Sequence, residues 1–203
     1  MFRRIPLLLT LLLATACGLA DDPQDERDRY IYPTFFDKTF EAYCLGAFDL
    51  DGDGRISRYE ARRVREVACP GVGVASLSDL REFPNLLRLD CSDNALTELD
   101  LSVCTHLTRA DCSGSDLSML DLDGLRGLAW LDCRDNALTQ LDLTSNVSLA
   151  WLDARGNRFR TLDVSVCSSV LQADVRENPD LGTLYYRASQ GILFDGITTP
   201  VER

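Results

Sequence analysis

From residue 64 onward the apolar positions recur in columns, not in a simple alternation. The segment Leu86 to Leu96 returns 21 residues later from Leu107, again from Leu128 and Leu149, and in weaker form from Val170. Leu89, Ala110, Leu131, Leu152 and Ala173 share one column, and Leu99, Leu120, Leu141 and Leu162 another. Asn94, Asn136, Asn157 and Asn178 share a polar column, with Ser115 as its exception. An earlier unit of 22 residues fits the same template through Val64, Val67, Cys69, Val72, Val74 and Leu77. A unit this short cannot bury its apolar face alone, so the coils must stack. Stacking predicts continuous Leu columns and a parallel sheet with rungs about 4.8 Å apart. Asn carries donors and an acceptor, which suits it to saturate backbone groups at each bend.

This pattern resembles the leucine-rich repeat over residues 64–186, in the cysteine-containing variant of bacterial surface proteins. The resemblance implies an α/β solenoid, a right-handed coil with a parallel sheet. The period breaks at Pro179, where one residue is inserted. Leu184, Tyr185 and Tyr186 then read as a last strand, and residues 187–203 as a C-terminal cap.

Ahead of the repeats, Phe36, Phe40, Tyr43 or Cys44, and Ala47 or Phe48 fall at helical spacing. They lead into Asp49 to Glu60, a twelve-residue segment with oxygen donors where a calcium loop needs them. Asp49, Asp51 and Asp53 occupy positions 1, 3 and 5, Arg55 offers its backbone carbonyl at 7, Ser57 at 9 acts through water, and Glu60 stands at 12. Gly54 permits the sharp turn and Ile56 faces the core. Ser57 with Glu60 is also a helix-start signature, continued by Ala61 and Val64. Residues 33–66 therefore resemble an EF-hand closing the open end of the first coil. No second loop follows, so a lone site is expected to bind calcium weakly, at about 10⁻⁴ M or above.

Composition narrows the options. The formal charge is −11, and removing Arg3 and Arg4 with a leader would make it two units more negative. Such a surface repels nucleic acid and anionic lipid and attracts divalent cations. A single histidine, His106, excludes multi-histidine metal sites. Arg3, Arg4 and the short apolar run Leu7 to Leu13 read as an export signal over residues 1–17, too short to span a bilayer. Ala14, Thr15, Ala16 and Cys17 resemble a bacterial lipoprotein box, with Cys17 lipidated. Ordinary cleavage after Ala16 or Ala20 is the alternative. Residues 18–32 are charged and poor in apolar side chains, which predicts a flexible tether.

Of the eight cysteines, Cys69, Cys91, Cys112 and Cys133 share an inward column, which favours buried thiols over a tetrahedral zinc site. Cys104 and Cys167 lie three rungs apart and cannot bridge. Cys44 could pair with Cys69 after export. Asp90, Asp111, Asp132, Asp153 and Asp174 form an outward column on what the fold would make the concave face. Arg134, Arg155 and Arg176 flank it on one side, with Arg88, Arg109, Trp130, Trp151 and Gln172 on the other. The Asp column is part of the repeat itself. The Trp pair fits either a contact for a protein or glycan ligand or local packing. His106 reads as a solvated bend residue lacking an orienting partner, so the chain reads as non-catalytic. Two readings result: a calcium-binding, envelope-anchored recognition module, or a calcium-stiffened envelope lipoprotein with no specific ligand.

Overall fold

The computed structural model describes residues 23–167, 172–194 and 199–202. The export signal and Cys17 lie outside these residues. Among the described residues no helix is long and apolar enough to cross a membrane.

The coils form as the 21-residue columns require, with two short strands in most turns. A seven-stranded parallel sheet is built from β1 (Glu66–Ala68), β2 (Arg88–Asp90), β4 (Arg109–Asp111), β6 (Trp130–Asp132), β7 (Trp151–Asp153), β9 (Gln172–Asp174) and β11 (Gly191–Leu193), in that order. Its register places Leu89, Ala110, Leu131, Leu152 and Ala173 side by side. The opposite side of the coil carries β3 (Glu98–Asp100) paired with β5 (Met119–Asp121), and separately β8 (Thr161–Asp163), β10 (Thr183–Tyr186) and β12 (Thr199–Glu202). The second side is thus interrupted at Gln140 to Asp142, which form no strand, whereas the first side is continuous.

Both Leu columns are buried between the two sides, with Leu131, Leu152 and Leu162 no more than 1% exposed. The first unit matches its template, since Val67, Cys69, Val74 and Leu77 are buried, but Val72 points outward. Beyond Pro179 the turns tighten: Gly191 lies opposite Gln172 and Thr199 opposite Thr183, closer in sequence than a full repeat.

The Asn ladder does what its chemistry allows. The Asn157 amide donates to the carbonyls of Cys133, Ala154 and Arg155, while its oxygen accepts from the Leu138 N–H at 3.0 Å. Asn94, Asn136 and Asn178 repeat this arrangement. Ser115 is too short to join, and its buried hydroxyl has no partner among the described residues. The residue before each ladder position is left-handed: Asp93, Gly114, Asp135, Gly156 and Glu177 all have φ between 54° and 66°. At Gly114 an added Cβ would lie 2.3 Å from the Asp93 carboxylate, which would have to move.

The first coil is closed by α2 (Lys38–Phe48) and the single turn α3 (Arg58–Ala61). Phe35, not Phe36, packs inward: Phe36 precedes the helix and is 77% exposed. Phe35, Phe40 and Phe83 meet with ring centroids 5.9–6.2 Å apart. Asp37 caps α2 through the Thr39 and Phe40 N–H groups and reaches the N–H groups of Ala75 and Ser76 with its other oxygen. Asp79, on the first coil, accepts in return from Phe36 and Asp37. The Tyr43 hydroxyl accepts the Ala68 N–H, satisfying one donor of the edge strand β1.

The expectation of a flexible tether through residue 32 needs correction. Pro23–Asp28 forms a helix, α1, packed on α3. Asp28 is 3% exposed and pairs with Arg62, and Asp25 pairs with Arg63 at 2.9 Å. A run with few apolar residues docks here through ion pairs, because Arg62 and Arg63, just past α3, stand opposite its acids.

Candidate functional site

Two regions carry the candidate residues: the acidic loop in the cap and the outward face of the seven-stranded sheet.

In the loop, one carboxylate oxygen from each of Asp49, Asp51 and Asp53 lies within 4.8 Å of the others, the only such group of potential metal ligands among the described residues. Gly52 and Gly54 take φ of 74° and 79°, which folds the loop back on itself. Its acidic side chains also accept backbone donors. Asp49 takes the N–H groups of Gly52 and Gly54, Asp51 that of Asp53, and Asp53 that of Arg55. The Asp53 carboxylate pushes the nearby Tyr32 phenol above its ordinary range.

Glu60 stands apart from this cluster. It is 3% exposed, and it accepts from the Leu50 N–H at 2.7 Å and from the Ser57 N–H and hydroxyl at 2.8 Å. With the Ser57 hydroxyl accepting the Glu60 N–H, this is a complete capping box. The structure thus brings together three of the residues read as ligands and sets Glu60 at the helix start, pinned to the loop entrance. The donors are all oxygens with three carboxylates at close range, a set that fits a hard divalent cation. Full coordination requires Glu60 to exchange its capping bonds.

On the sheet face, the Asp column is compensated unevenly. Arg134 pairs with Asp132 at 3.2 Å and reaches Asp153 at 3.8 Å. Arg155 pairs with Asp153 at 2.7 Å and approaches Asp174 at 3.6 Å, and Arg176 pairs with Asp174 at 2.6 Å. Each guanidinium therefore serves its own rung, and the first two also reach the next. Among the described residues, Asp90 and Asp111 have only the Ser92 and Ser113 N–H and hydroxyl groups. All five carboxylates accept the N–H two residues on, so the column is first of all a turn device. Asp132 and Asp153 are buried beneath their arginines. Burial pushes Asp132 up to about 6 despite Arg134.

Trp130 and Trp151 stack at 4.4 Å with planes 2° apart, and the Arg109 guanidinium lies 3.3 Å from the centre of the Trp130 ring. Arg88 turns away to pair with Glu66 at 3.0 Å. Both indoles remain half-buried.

The cysteine column is a row of free, buried thiols. Cys91, Cys112 and Cys133 each point Sγ at the Asp carbonyl of the next rung, at 3.4–3.5 Å. The pairing of Cys44 with Cys69 that export would permit is not formed. Burial pushes Cys69 up to about 11 and Cys104 up to about 12, so these thiols stay protonated at neutral pH. His106 is exposed in its turn, as expected, while nearby Cys104 is 1% exposed.

The fold is that of a leucine-rich-repeat solenoid. The functional domain of InlJ from Listeria monocytogenes, which includes a cysteine ladder, is similar with a TM-score of 0.67 and 27% identity, over 74% of this chain and 36% of that one. An internalin, InlF, of the same organism has a TM-score of 0.50 at 14% identity, a likeness of fold, over 80% of this chain and 65% of that one. The chain thus spans less than two thirds of either structure. No protein-family model matches it, and no curated protein does.

Proposed function

We propose that this protein is a calcium-stabilised, non-catalytic recognition module of the bacterial envelope that binds a protein partner on its seven-stranded face. The observation that carries the recognition half is the Arg109–Trp130–Trp151 stack, an aromatic and cationic cluster on a sheet face left half-open. Clusters rich in Trp and Arg dominate binding energy in protein interfaces. The choice of protein over glycan rests on how Trp130 is covered. Trp130 has Arg109 on one face and Trp151 on the other, so no free ring face remains there for a sugar. Trp130 offers its ring edges beside the Arg109 guanidinium. The likeness to InlJ supports an interaction module displayed outside the cytoplasm. The Cys17 anchor belongs to the same proposal, and mass spectrometry of the mature N-terminus tests it.

In this reading Asp49, Asp51, Asp53, the Arg55 carbonyl, Ser57 through water, and Glu60 hold the ion. Calcium supplies positive charge to a loop of converging carboxylates and so ties α2 to α3. Calorimetric titration of the full chain should give saturable heat near 10⁻⁴ M. No heat at millimolar calcium overturns it. Asp51→Asn is the cleaner variant, because Asp51 is exposed and accepts only one loop N–H, whereas Glu60 also starts a helix. For the face, Trp130→Ala/Trp151→Ala should abolish a saturable, calcium-dependent capture from envelope extract while the circular dichroism stays unchanged. Capture surviving in that variant overturns the assignment of the surface.

The reading without a ligand draws on the Arg–Asp pairs, which satisfy one another across three rungs without outside help.

A further inference from the structure

The docking of α1 shortens the chain between the cap and Cys17. α1 begins at Pro23 and is held down by the Asp25–Arg63 and Asp28–Arg62 pairs. Only six peptide links then separate Pro23 from Cys17, and at full extension they span no more than about 20 Å. The seven-stranded sheet is longer: rungs about 4.8 Å apart put β11 about 30 Å from β1. A lipid on Cys17 therefore holds the cap, and not the far coils, at the membrane.

The cap presents apolar side chains at that end. Tyr30 and Ile31, just past α1, and Leu50 are all exposed, Tyr30 at 73% and Leu50 at 67%. Their backbones are fixed at one place, the start of α3. The Ile31 carbonyl accepts the Arg58 N–H at 2.8 Å, and the Glu60 carboxylate takes the N–H groups of both Leu50 and Ser57. With six residues, α1 is about 9 Å long, so this patch stands close to where the chain from Cys17 arrives. Exposed Phe36 lies at the other end of α2 and is not part of it. Beside the patch, Arg58 lines a cleft of about 420 Å³ with Asp28, Arg62, Arg81 and Glu82. Three guanidinium groups against two carboxylates leave the cleft cationic, whereas Asp49 and Asp51 flank Leu50. Both signs side by side suit a zwitterionic headgroup, its phosphate toward the arginines and its ammonium toward the aspartates, better than a purely anionic surface.

We propose that Tyr30, Ile31 and Leu50 rest in the headgroup region of a phosphatidylethanolamine-rich bilayer, the membrane that carries the Cys17 lipid, with Arg58 toward the lipid phosphate. This rests on the Cys17 anchor. Three side chains bind a bilayer weakly by themselves, but a short tether makes their contact intramolecular, at an effective concentration of about millimolar. Tyr suits such a boundary because its ring is apolar and its hydroxyl stays wet. The coils then stand away from the lipid, and the seven-stranded face stays open to a partner.

The test uses the mature lipidated chain, reconstituted in vesicles of phosphatidylethanolamine and phosphatidylcholine that include a lipid with a nitroxide quencher on its headgroup. A fluorophore is attached at Leu50→Cys or, as the distant reference, at Leu193→Cys, an exposed position on β11. The seven free thiols are no more than 1% exposed and stay unlabelled. Quenching should be at least about threefold stronger at position 50 than at 193. Tyr30→Ser/Ile31→Ser should bring position 50 down to the reference level while the chain still sediments with the vesicles. Arg58→Gln should lower it about twofold. Equal quenching at the two positions in a chain that sediments overturns the inference and leaves the anchor standing. Unchanged quenching in Tyr30→Ser/Ile31→Ser overturns the assignment of the patch. A mature chain that carries no lipid and does not sediment overturns both the anchor and the contact built on it.

Discussion

The stacked coils and the helical cap face the same problem, unpaired backbone groups beside a buried apolar surface, and meet it in opposite ways. In the coils one residue type at a fixed interval repeats one job: each ladder Asn binds carbonyls of its own rung and of the one before. In the cap, different residues each act once. Asp37 and Asp79 exchange N–H groups across the junction, Tyr43 takes the edge of β1, and Glu60 starts α3. The difference teaches that regularity makes a region readable and its defects local, because each coil contacts only its neighbours. A singular contact leaves no periodic trace, and its loss opens a whole end.

The most damaging change expected is Asn157→Ala. It removes four hydrogen bonds and strands the buried Leu138 N–H, while the three carbonyls each keep a second donor, at a cost on the order of 3 kcal/mol, read as a lower denaturant midpoint. Asp37→Ala should cost about 2 kcal/mol, since it frees four N–H groups at the junction. Limited proteolysis should then cut the cap before the coils. Equal cutting of both would break the comparison.

Acid separates the two regions next. Burial alone would raise Asp37, but the Phe40, Ala75, Ser76 and Thr39 N–H groups outweigh it and hold the carboxyl below its ordinary range. Its stabilisation is therefore present at neutral pH and disappears as pH falls through that lowered value. Asp132 has the opposite sign. Its folded value of about 6 means that ionisation costs stability increasingly from about pH 4 to 6. Asp132→Asn should melt above wild type at pH 7, and the gap should vanish near about pH 4. A gap independent of pH would remove the carboxyl's burial as its cause.

The smallest effect sharpens the contrast. Ser115→Asn should complete the ladder at its one gap and add about 1 kcal/mol, measured as a raised melting temperature. A neutral result would mean that the preceding Gly114 rung cannot present the amide.

Sequence legibility follows the same division. The Leu columns, the Asn ladder, the inward cysteines and the converging aspartates of the loop stand where the spacing puts them. The break of the opposite sheet at Gln140 to Asp142 has no counterpart in the columns, since Leu141 keeps its place there and is still buried. The docking of α1 was hidden for another reason. Its acidic composition reads as solvated until Arg62 and Arg63 are seen opposite it. The stacking of Trp130 on Trp151 was half legible: the period makes them neighbours, but not that Arg109 and Trp151 would take up both faces of the Trp130 ring.

By itself, the sequence determined the coil, its period, its buried columns and the oxygen-rich loop, because each depends on spacing along the chain, and spacing is preserved on folding. Only the tertiary structure decided that Glu60 begins a helix apart from the aspartate cluster, which carboxylates receive an arginine, and that Tyr32 lies against the loop. Those outcomes depend on which distant groups compete for the same donor or charge, and that competition is settled only when the chain has closed on itself.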